Sequence, residues 1–520
     1  MKKNTIFFLL IALLFGLGSC EKFLDTMPDN RAEINSVEKV TKLLVSAYPT
    51  NSGALIAELS SDNAMDNGTL YTPYNREQED AYLWRDITTT GNDAPKAIWD
   101  GHYGAIAAAN QALNAIEELE NPVSLNAQKG EALIARAYAH FALANLFCMP
   151  YNPETANSDL GLPYSEKPET QVKVEYQRGT MAELYEKIST DIEAGLSLIN
   201  DEIYSVPKYH FNKRAAYAFA ARFNLFYLKF DKAVQYATTA LGDNPATLLG
   251  KWTGMFSAAS NWDVRNDMYI SASDAGNFLI LPAYSSLPYV LGPYNLGRRY
   301  GNARPIIERE SFRAAGIWGP SRDNVYLASA MWGYDQKFAL PKVGAYFEYI
   351  DKVAGIGYIH SVLVPFTVGE TLLCRAEAYI LQSKFAEATA DINTWIKANA
   401  KPSVGAFSQD EIVSFYKGLS YMPVQIKNDN ERSIKKKINP QGFTVTEDVQ
   451  ENLIQCILHL RRMETMHDGG RWYDLKRYGI EIAHNREGEA DDVILKDDPR
   501  RAIQLPQDVI SAGLQANPRK

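Results

Sequence analysis

The residues of this chain that could do chemistry fall in three places. Glu464/His467 and Glu481/His484 are Glu-x-x-His pairs, a spacing that puts a carboxylate and an imidazole on one helix face, as a di-iron bundle requires. Such a centre takes its pairs from two different helices and adds two more glutamates. Here the pairs start 17 residues apart with Gly469 and Gly470 between them, so coincidence explains them better than a metal. His140 and Cys148 could form a nucleophilic pair, yet both fall on one apolar helix or its end, where a packed imidazole and a buried thiol are expected. The chain has no Gly-rich phosphate loop with its lysine, no nucleophile elbow, no two-histidine metalloprotease helix and no dinucleotide fingerprint. The third place is a set of rings and amides in two irregular stretches, which suits binding without catalysis. The expectation is a protein that is not an enzyme.

The first of those stretches, "SSDNAMDNGTLYTPYNREQED", begins at Ser60, and the second lies between about Gly242 and Phe366, where "LPAYSSLPYVLGPYNLGRRYGNARP" shows no helical period. Long irregular segments in a folded body are usually functional surfaces or ordered additions to a scaffold. The scaffold itself reads as helical. Apolar periodicity predicts helices over Pro95 to Leu119, Gln128 to Phe147, Thr180 to Ile199, Lys213 to Leu241 in two pieces and Thr367 to Asn399 in two pieces. The last two share a pattern. Ala221 is followed twelve residues on by Ala233, then by Ala237, Ala240 and Pro245, and Ala376 is followed twelve on by Ala388, with Trp395 in the place of Ala240. That is the spacing of small residues in a tetratricopeptide hairpin, where two helices approach closely. A third candidate is split: "EALIARAYAHFALANLF" finds its partner "MAELYEKISTDIEAGLSLI" only after a loop.

Bulk properties set the address. Lys2 and Lys3 followed by an apolar run from Ile6 to Leu17 have the form of a secretory signal, and the run is too short to span a bilayer. Leu17-Gly18-Ser19 leads into Cys20, in the pattern of a bacterial lipobox. Residues 1–19 are therefore expected to be removed and Cys20 to carry acyl chains of the palmitate kind, each buried methylene adding about 0.8 kcal/mol of membrane affinity. Cys148, Cys374 and Cys456 remain, an odd number in apolar helical contexts, and free buried thiols are expected. A net charge of −9 offers no basic field for nucleic acid.

Read in order, these landmarks resemble the SusD/RagB family of nutrient-binding outer-membrane lipoproteins. The resemblance runs through "CEKFLDTMPDN", "IWDGHYGAIAAANQAL", "KGEALIARAYAHFALANLF", "RGTMAELYEKISTDIEAGLSLI", "GETLLCRAEAYILQSKFAEATADIN", "LRRMETMHDGGRWYDLKRYG" and "AIQLPQDVISAGLQANPRK". Two departures stand out: His467-Asp468-Gly469-Gly470 where the family has Glu-Gly, and Arg519-Lys520 where it ends on Gly-Tyr. In the tail motif, Arg471 and Asp474, three apart on a helix, are expected to pair beside Trp472 as an anchor. The resemblance implies a mainly α fold, a tetratricopeptide-like scaffold of about four hairpins with a loop-rich, short-strand ligand-binding subdomain. It divides the chain into the signal at 1–19, an N-terminal helical region at 20–241, a loop-rich insert at 242–366 and a C-terminal helical region at 367–520 that forms one body with 20–241.

What the resemblance implies for function is a cell-surface lipoprotein of the outer membrane that captures a glycan and delivers it to a SusC-like TonB-dependent transporter. A sugar offers a flat apolar face for rings and a hydroxyl rim for amides and charged groups. The ligand-binding candidates are Asn67, Tyr71, Tyr74, Arg76 and Trp84 from the first stretch, with Asp62, Asn63 and Asp66 beside them, and Tyr289, Tyr294 and Arg298 from the second, with Tyr284, Tyr300 and Trp318 nearby. No cofactor is required. Calcium is the one ion the acidic loops leave open, although "DNAMDNG" has the wrong register for an EF-hand. The alternative readings are peptide uptake of the RagB type and a surface glycosidase.

Overall fold

The computed structural model describes residues 34–169, 175–258, 261–294, 298–326 and 338–519. The signal, Cys20 and the "CEKFLDTMPDN" landmark lie outside the described residues, as does Lys520. In chain order the first elements are α1 (Val37–Leu44), α2 (Ala54–Ser60), β1 (Met65–Asp66), α3 (Arg76–Tyr82), α4 (Pro95–Glu118), α5 (Asn126–Phe147), α6 (Met181–Leu196), α7 (Lys213–Phe226) and α8 (Phe230–Leu241). The middle of the chain supplies α9 (Lys251–Ser257), α10 (Trp262–Tyr269), β2 (Asn277–Tyr284), α11 (Leu287–Leu291), β3 (Tyr300–Gly301), α12 (Arg304–Arg309), α13 (Ser321–Asn324), β4 (Tyr346–Asp351) and β5 (Ile356–Thr367). The last third holds α14 (Val368–Leu381), α15 (Phe385–Asn399), α16 (Gln409–Gly418), α17 (Val449–Glu464), α18 (Gly470–Arg477), the hairpin β6 (Ile482–His484) and β7 (Asp492–Ile494), and α19 (Gln507–Ser511).

The two alanine-spaced hairpins, α7–α8 and α14–α15, form as the repeat predicts, with Ala221, Ala233, Ala237, Ala240, Ala376, Ala388 and Trp395 all buried. Their turns match in detail. Leu228 and Ser383 both take positive φ, 61° and 59°, and the following amides of Lys229 and Lys384 donate back to the carbonyls of Asn224 and Tyr379, each at 2.8 Å. A second shared feature is a clasp from the first helix to the second. Arg136 of α5 grips Asp191 of α6 with two bonds of 2.7 Å, Arg375 of α14 grips Asp391 of α15 at 2.8 and 2.7 Å, and Arg461 of α17 donates to Asp474 of α18 at 2.9 Å. These pairs are at least half-buried, and the first two are bidentate, a geometry that fixes the register of two helices. The split α5–α6 pair thus joins the set, and α17–α18 completes four hairpins. Capping is equally local: Thr180 and Glu183 form a capping box on α6, and the Thr367 hydroxyl accepts from the Glu370 amide at 3.1 Å to start α14.

Helices from the two ends of the chain pack together, α8 on α14 and α2 on α18. On this body lies an antiparallel sheet in the order β2-β5-β4. Strand β5 is twelve residues long, longer than the short strands expected, because the turn at Asp351–Ile356, with Gly355 at φ 67°, lets β4 extend it beyond the body. The three cysteines are free and buried. Among the described residues no helix is long and apolar enough to cross a membrane.

Candidate functional site

The two irregular stretches meet. Strands β1 and β3 pair antiparallel, Asp66 opposite Tyr300, and the seam continues as the Asn67 amide donates to the Arg299 carbonyl at 2.7 Å, Asn67 Nδ2 to the Arg298 carbonyl at 3.0 Å, and the Arg299 amide to Thr72 at 3.2 Å. Asp66 locks it by accepting from Arg299 at 2.9 and 2.8 Å. Burial raises that carboxyl, but the bonds from Arg299 and from the Gly68 and Glu487 amides outweigh it and hold Asp66 below the usual carboxylate range. Gly68, at φ 101°, makes the turn that a β-carbon would strain. Asn75 then caps α3 by accepting from the Gln78 amide at 2.9 Å, while Gln78 itself receives the Tyr74 amide and donates to the Tyr300 carbonyl.

The result is an aromatic platform. Tyr74 and Tyr289 lie nearly parallel, centroids 6.4 Å apart at 8°, offset rather than closed face to face. Tyr294 adjoins Tyr289 at 5.9 Å and 55°, and the Arg298 guanidinium sits 4.8 Å from the Tyr74 ring centre, a cation–π contact that fixes the ring's tilt. Tyr74 and Tyr289 are half-buried and Tyr294 is exposed. Tyr294 is steadied by weak bonds, to Asp263 at 3.4 Å and from the Ala345 amide at 3.3 Å. Tyr71 lies half-buried on the same loop, and Leu70 beside it is 93% exposed. Arg76, at the start of α3, is exposed and donates to Asp80 at 3.2 Å, its one partner among the described residues.

Other candidates face inward. Trp84 is 6% exposed, donates to the Ser60 carbonyl at 2.9 Å and stacks on His484 at 4.0 Å; it belongs to the core because its left-handed backbone, φ 47°, turns the ring back under α2. Tyr300 and Trp318 are also buried, and Tyr284 packs on His360 at 4.1 Å. Asp62 and Asn63 are buried in an ionic clamp. Arg471 donates to both Asp62 oxygens at 2.8 Å, Lys436 to the same carboxylate at 2.6 Å, and Arg462 to the Asp62 carbonyl at 2.6 Å and to Asn63 at 2.8 Å. Glu310 accepts from Lys436, Arg432 and Arg462 in the same cluster. The expected Arg471–Asp474 pair is therefore replaced: Arg471 reaches Asp62, while Asp474 serves Arg461 and Arg477. Burial alone would raise Asp62, but Arg462, Arg471 and Lys436 hold it well below the usual range. Trp472 is buried as an anchor.

Sequence reading missed the residues that position the platform. Asp93 is buried and accepts from the Ser285 and Ser286 hydroxyls at 2.5 Å and the Ser286 amide at 2.7 Å, fixing the turn that launches α11 and Tyr289. An acid standing before Ala94-Pro95 gives no signal of a partner nearly two hundred residues on. The Glu-His and His-Cys pairs each have structural partners instead. Glu464 accepts from Thr367 and Trp395 and His467 accepts from the Leu340 amide at 3.1 Å, while His484 sits between the carbonyls of Tyr82 and Ser61. His140 contacts the Arg136 carbonyl and the Ser165 amide, not Cys148. No group of three metal-ligating side chains occurs among the described residues, and the acids of the first loop, Asp62 and Asp66, already serve arginines and lysine.

Comparison with known proteins agrees with this architecture. Residues 22–225 match the SusD-like family described as "Starch-binding associating with outer membrane". The fold matches a SusD superfamily protein from Bacteroides thetaiotaomicron at 17% identity and TM-score 0.61, covering 93% of this chain and 99% of that one. A putative sugar binding protein from Bacteroides vulgatus matches at 16% identity and TM-score 0.62, covering 94% and 99%. A SusD-like carbohydrate binding protein from the same species matches at 14% and 0.58, covering 92% and 96%. No functionally curated protein is similar in sequence. Residues 22–225 are thus SusD-like by sequence, and nearly the whole chain shares the fold of these structures.

Proposed function

We propose that this protein binds a glycan on the platform of Tyr74, Tyr289, Tyr294 and Arg298 and hands it, chemically unchanged, to a SusC-like TonB-dependent transporter in the outer membrane. The observation that carries the reading is the meeting of rings from two distant loops at one surface, beside exposed Arg76 and the Asn67 seam. Offset rings present apolar faces to a pyranose, and the flanking polar groups exchange hydrogen bonds with its rim. The family's association with the outer membrane supports the address, and acylation at Cys20 would moor the body there. In this reading residues 242–366 and the loop after α2 form the ligand face of one body built from 20–241 and 367–520. The test is a glycan array probed with the purified chain lacking its first twenty residues, alongside a peptide library. Saturable binding to one oligosaccharide class supports the reading, whereas binding only to peptides, or release of cleaved sugars, overturns it.

A further inference from the structure

Apart from the platform, and sharing none of its residues, is a cavity of about 150 Å³ lined by α4, α5, α7, the β2–β5 pair and the α17–α18 hairpin, with Asn51 and exposed Pro282 among its residues. Three polar groups converge in it. Arg222 of α7 donates Nε to Glu370 at 3.0 Å and Nη2 to the Pro365 carbonyl at 2.6 Å, while its plane lies 4.2 Å from the Phe366 ring centre. Tyr138 of α5 and Tyr473 of α18 stand close enough for Arg222 to favour the charged form of each, although burial outweighs it and both phenols are pushed up. They stay neutral, able to donate and to accept.

Among the described residues neither hydroxyl has a hydrogen-bond partner, although each lines the cavity. Glu370 Oε2 is buried on the same wall, again without a partner. Tyr138 and Tyr473 are half-buried, and polar groups enclosed in a packed core are normally satisfied. An apolar plug would have closed the core at lower cost. Phe141 and Phe226 supply apolar faces opposite these groups. The cations around the cavity are already matched: Arg222 and Arg461 meet Glu370, while Asp468 meets Lys342 and Glu464 accepts from Thr367 and Trp395. An anionic guest would find no free cation, whereas a neutral guest carrying both donors and acceptors would satisfy the Tyr138, Tyr473 and Glu370 oxygens.

We propose that this cavity is a second binding site, distinct from the platform, for a neutral polyhydroxylated molecule of one six-membered ring, with Tyr138, Tyr473, Arg222 and Glu370 as its polar contacts and Phe141 and Phe226 as its walls. A cavity of about 150 Å³ is on the scale of one small ring and too small for an oligosaccharide. The site takes a single unit, whereas the open platform suits a chain.

The test titrates the purified chain with D-glucose, myo-inositol and benzoate by calorimetry, using the wild type, Tyr138→Phe/Tyr473→Phe and Tyr74→Ala, and soaks wild-type crystals with the polyol that binds. The paired phenylalanines remove only two oxygens. Binding of a neutral polyol that weakens about tenfold or more in that pair and is unchanged in Tyr74→Ala, with the ring seen in the cavity, is the expected result. No polyol binding, preference for benzoate, equal affinity in the phenylalanine pair, or a soaked crystal with water alone in the cavity would each overturn the proposal.

Discussion

One loop, from Ser60 to Trp84, has two faces that behave in opposite ways. Its inward face, Asp62 and Asn63, is held by cations of the C-terminal motif in a buried clamp of two carboxylates, Asp62 and Glu310, and four cations, Arg432, Lys436, Arg462 and Arg471. On its outward face Tyr74 lies beside Tyr289 and Arg298, and Arg76, itself exposed, pairs with buried Asp80. The polar residues are the structural ones and the rings are the surface. That inversion of the ordinary rule separates a face built to stay fixed from a face left open to a ligand.

The comparison predicts where each face breaks. Removing a cation from the clamp should be the most damaging change. Arg471→Ala leaves Asp62 buried with fewer partners, and urea unfolding should show a loss of roughly 3–5 kcal/mol. A loss under about 1 kcal/mol would mean that the clamp is not what fixes the loop. The next effect depends on pH. Glu58, buried beside Asn63 and the His467 amide, is pushed by burial up to about 7, against bonds that favour its charge. Its folded value lies above the unfolded one, so its contribution is fully favourable below about pH 4.5 and declines as pH rises through about 7. Thermal melts of Glu58→Gln and wild type should therefore converge near pH 4.5 and diverge by about 2–3 kcal/mol at pH 8, with the glutamine variant the more stable. A constant difference across that range would contradict the burial account. The smallest effect belongs to the outward ion pair: Arg76→Ala should change stability by less than about 1 kcal/mol, read in the same urea titration.

Much of the scaffold was legible because its cause is local. The twelve-residue alanine spacing of α7–α8 and α14–α15, and the turns at Leu228 and Ser383, are set by neighbours on one hairpin. The loop was legible as an irregular, polar and aromatic stretch, but which residues face outward was not. Asp62 and Tyr74 look alike as candidates until Arg471, 409 residues from Asp62, takes the acid inward. Trp84 reads as a stacking ring until its positive φ and its bond to Ser60 turn it under α2. That Tyr289 lies beside Tyr74 was not legible; the Asp93–Ser285–Ser286 contact that aims it leaves no mark in either local sequence. Pairing over long sequence distance is what a single sequence conceals.

The central claim is that the rings, and not the buried polar residues of the same loop, hold the ligand. The measurement that tests it most directly is calorimetric titration of the best oligosaccharide from the array into the wild type and Tyr74→Ala/Tyr289→Ala, with thermal melts of both proteins. Affinity should fall by roughly thirtyfold or more, about 2 kcal/mol, while the melting temperature stays within a few degrees. Unchanged affinity in a folded double variant would contradict the account.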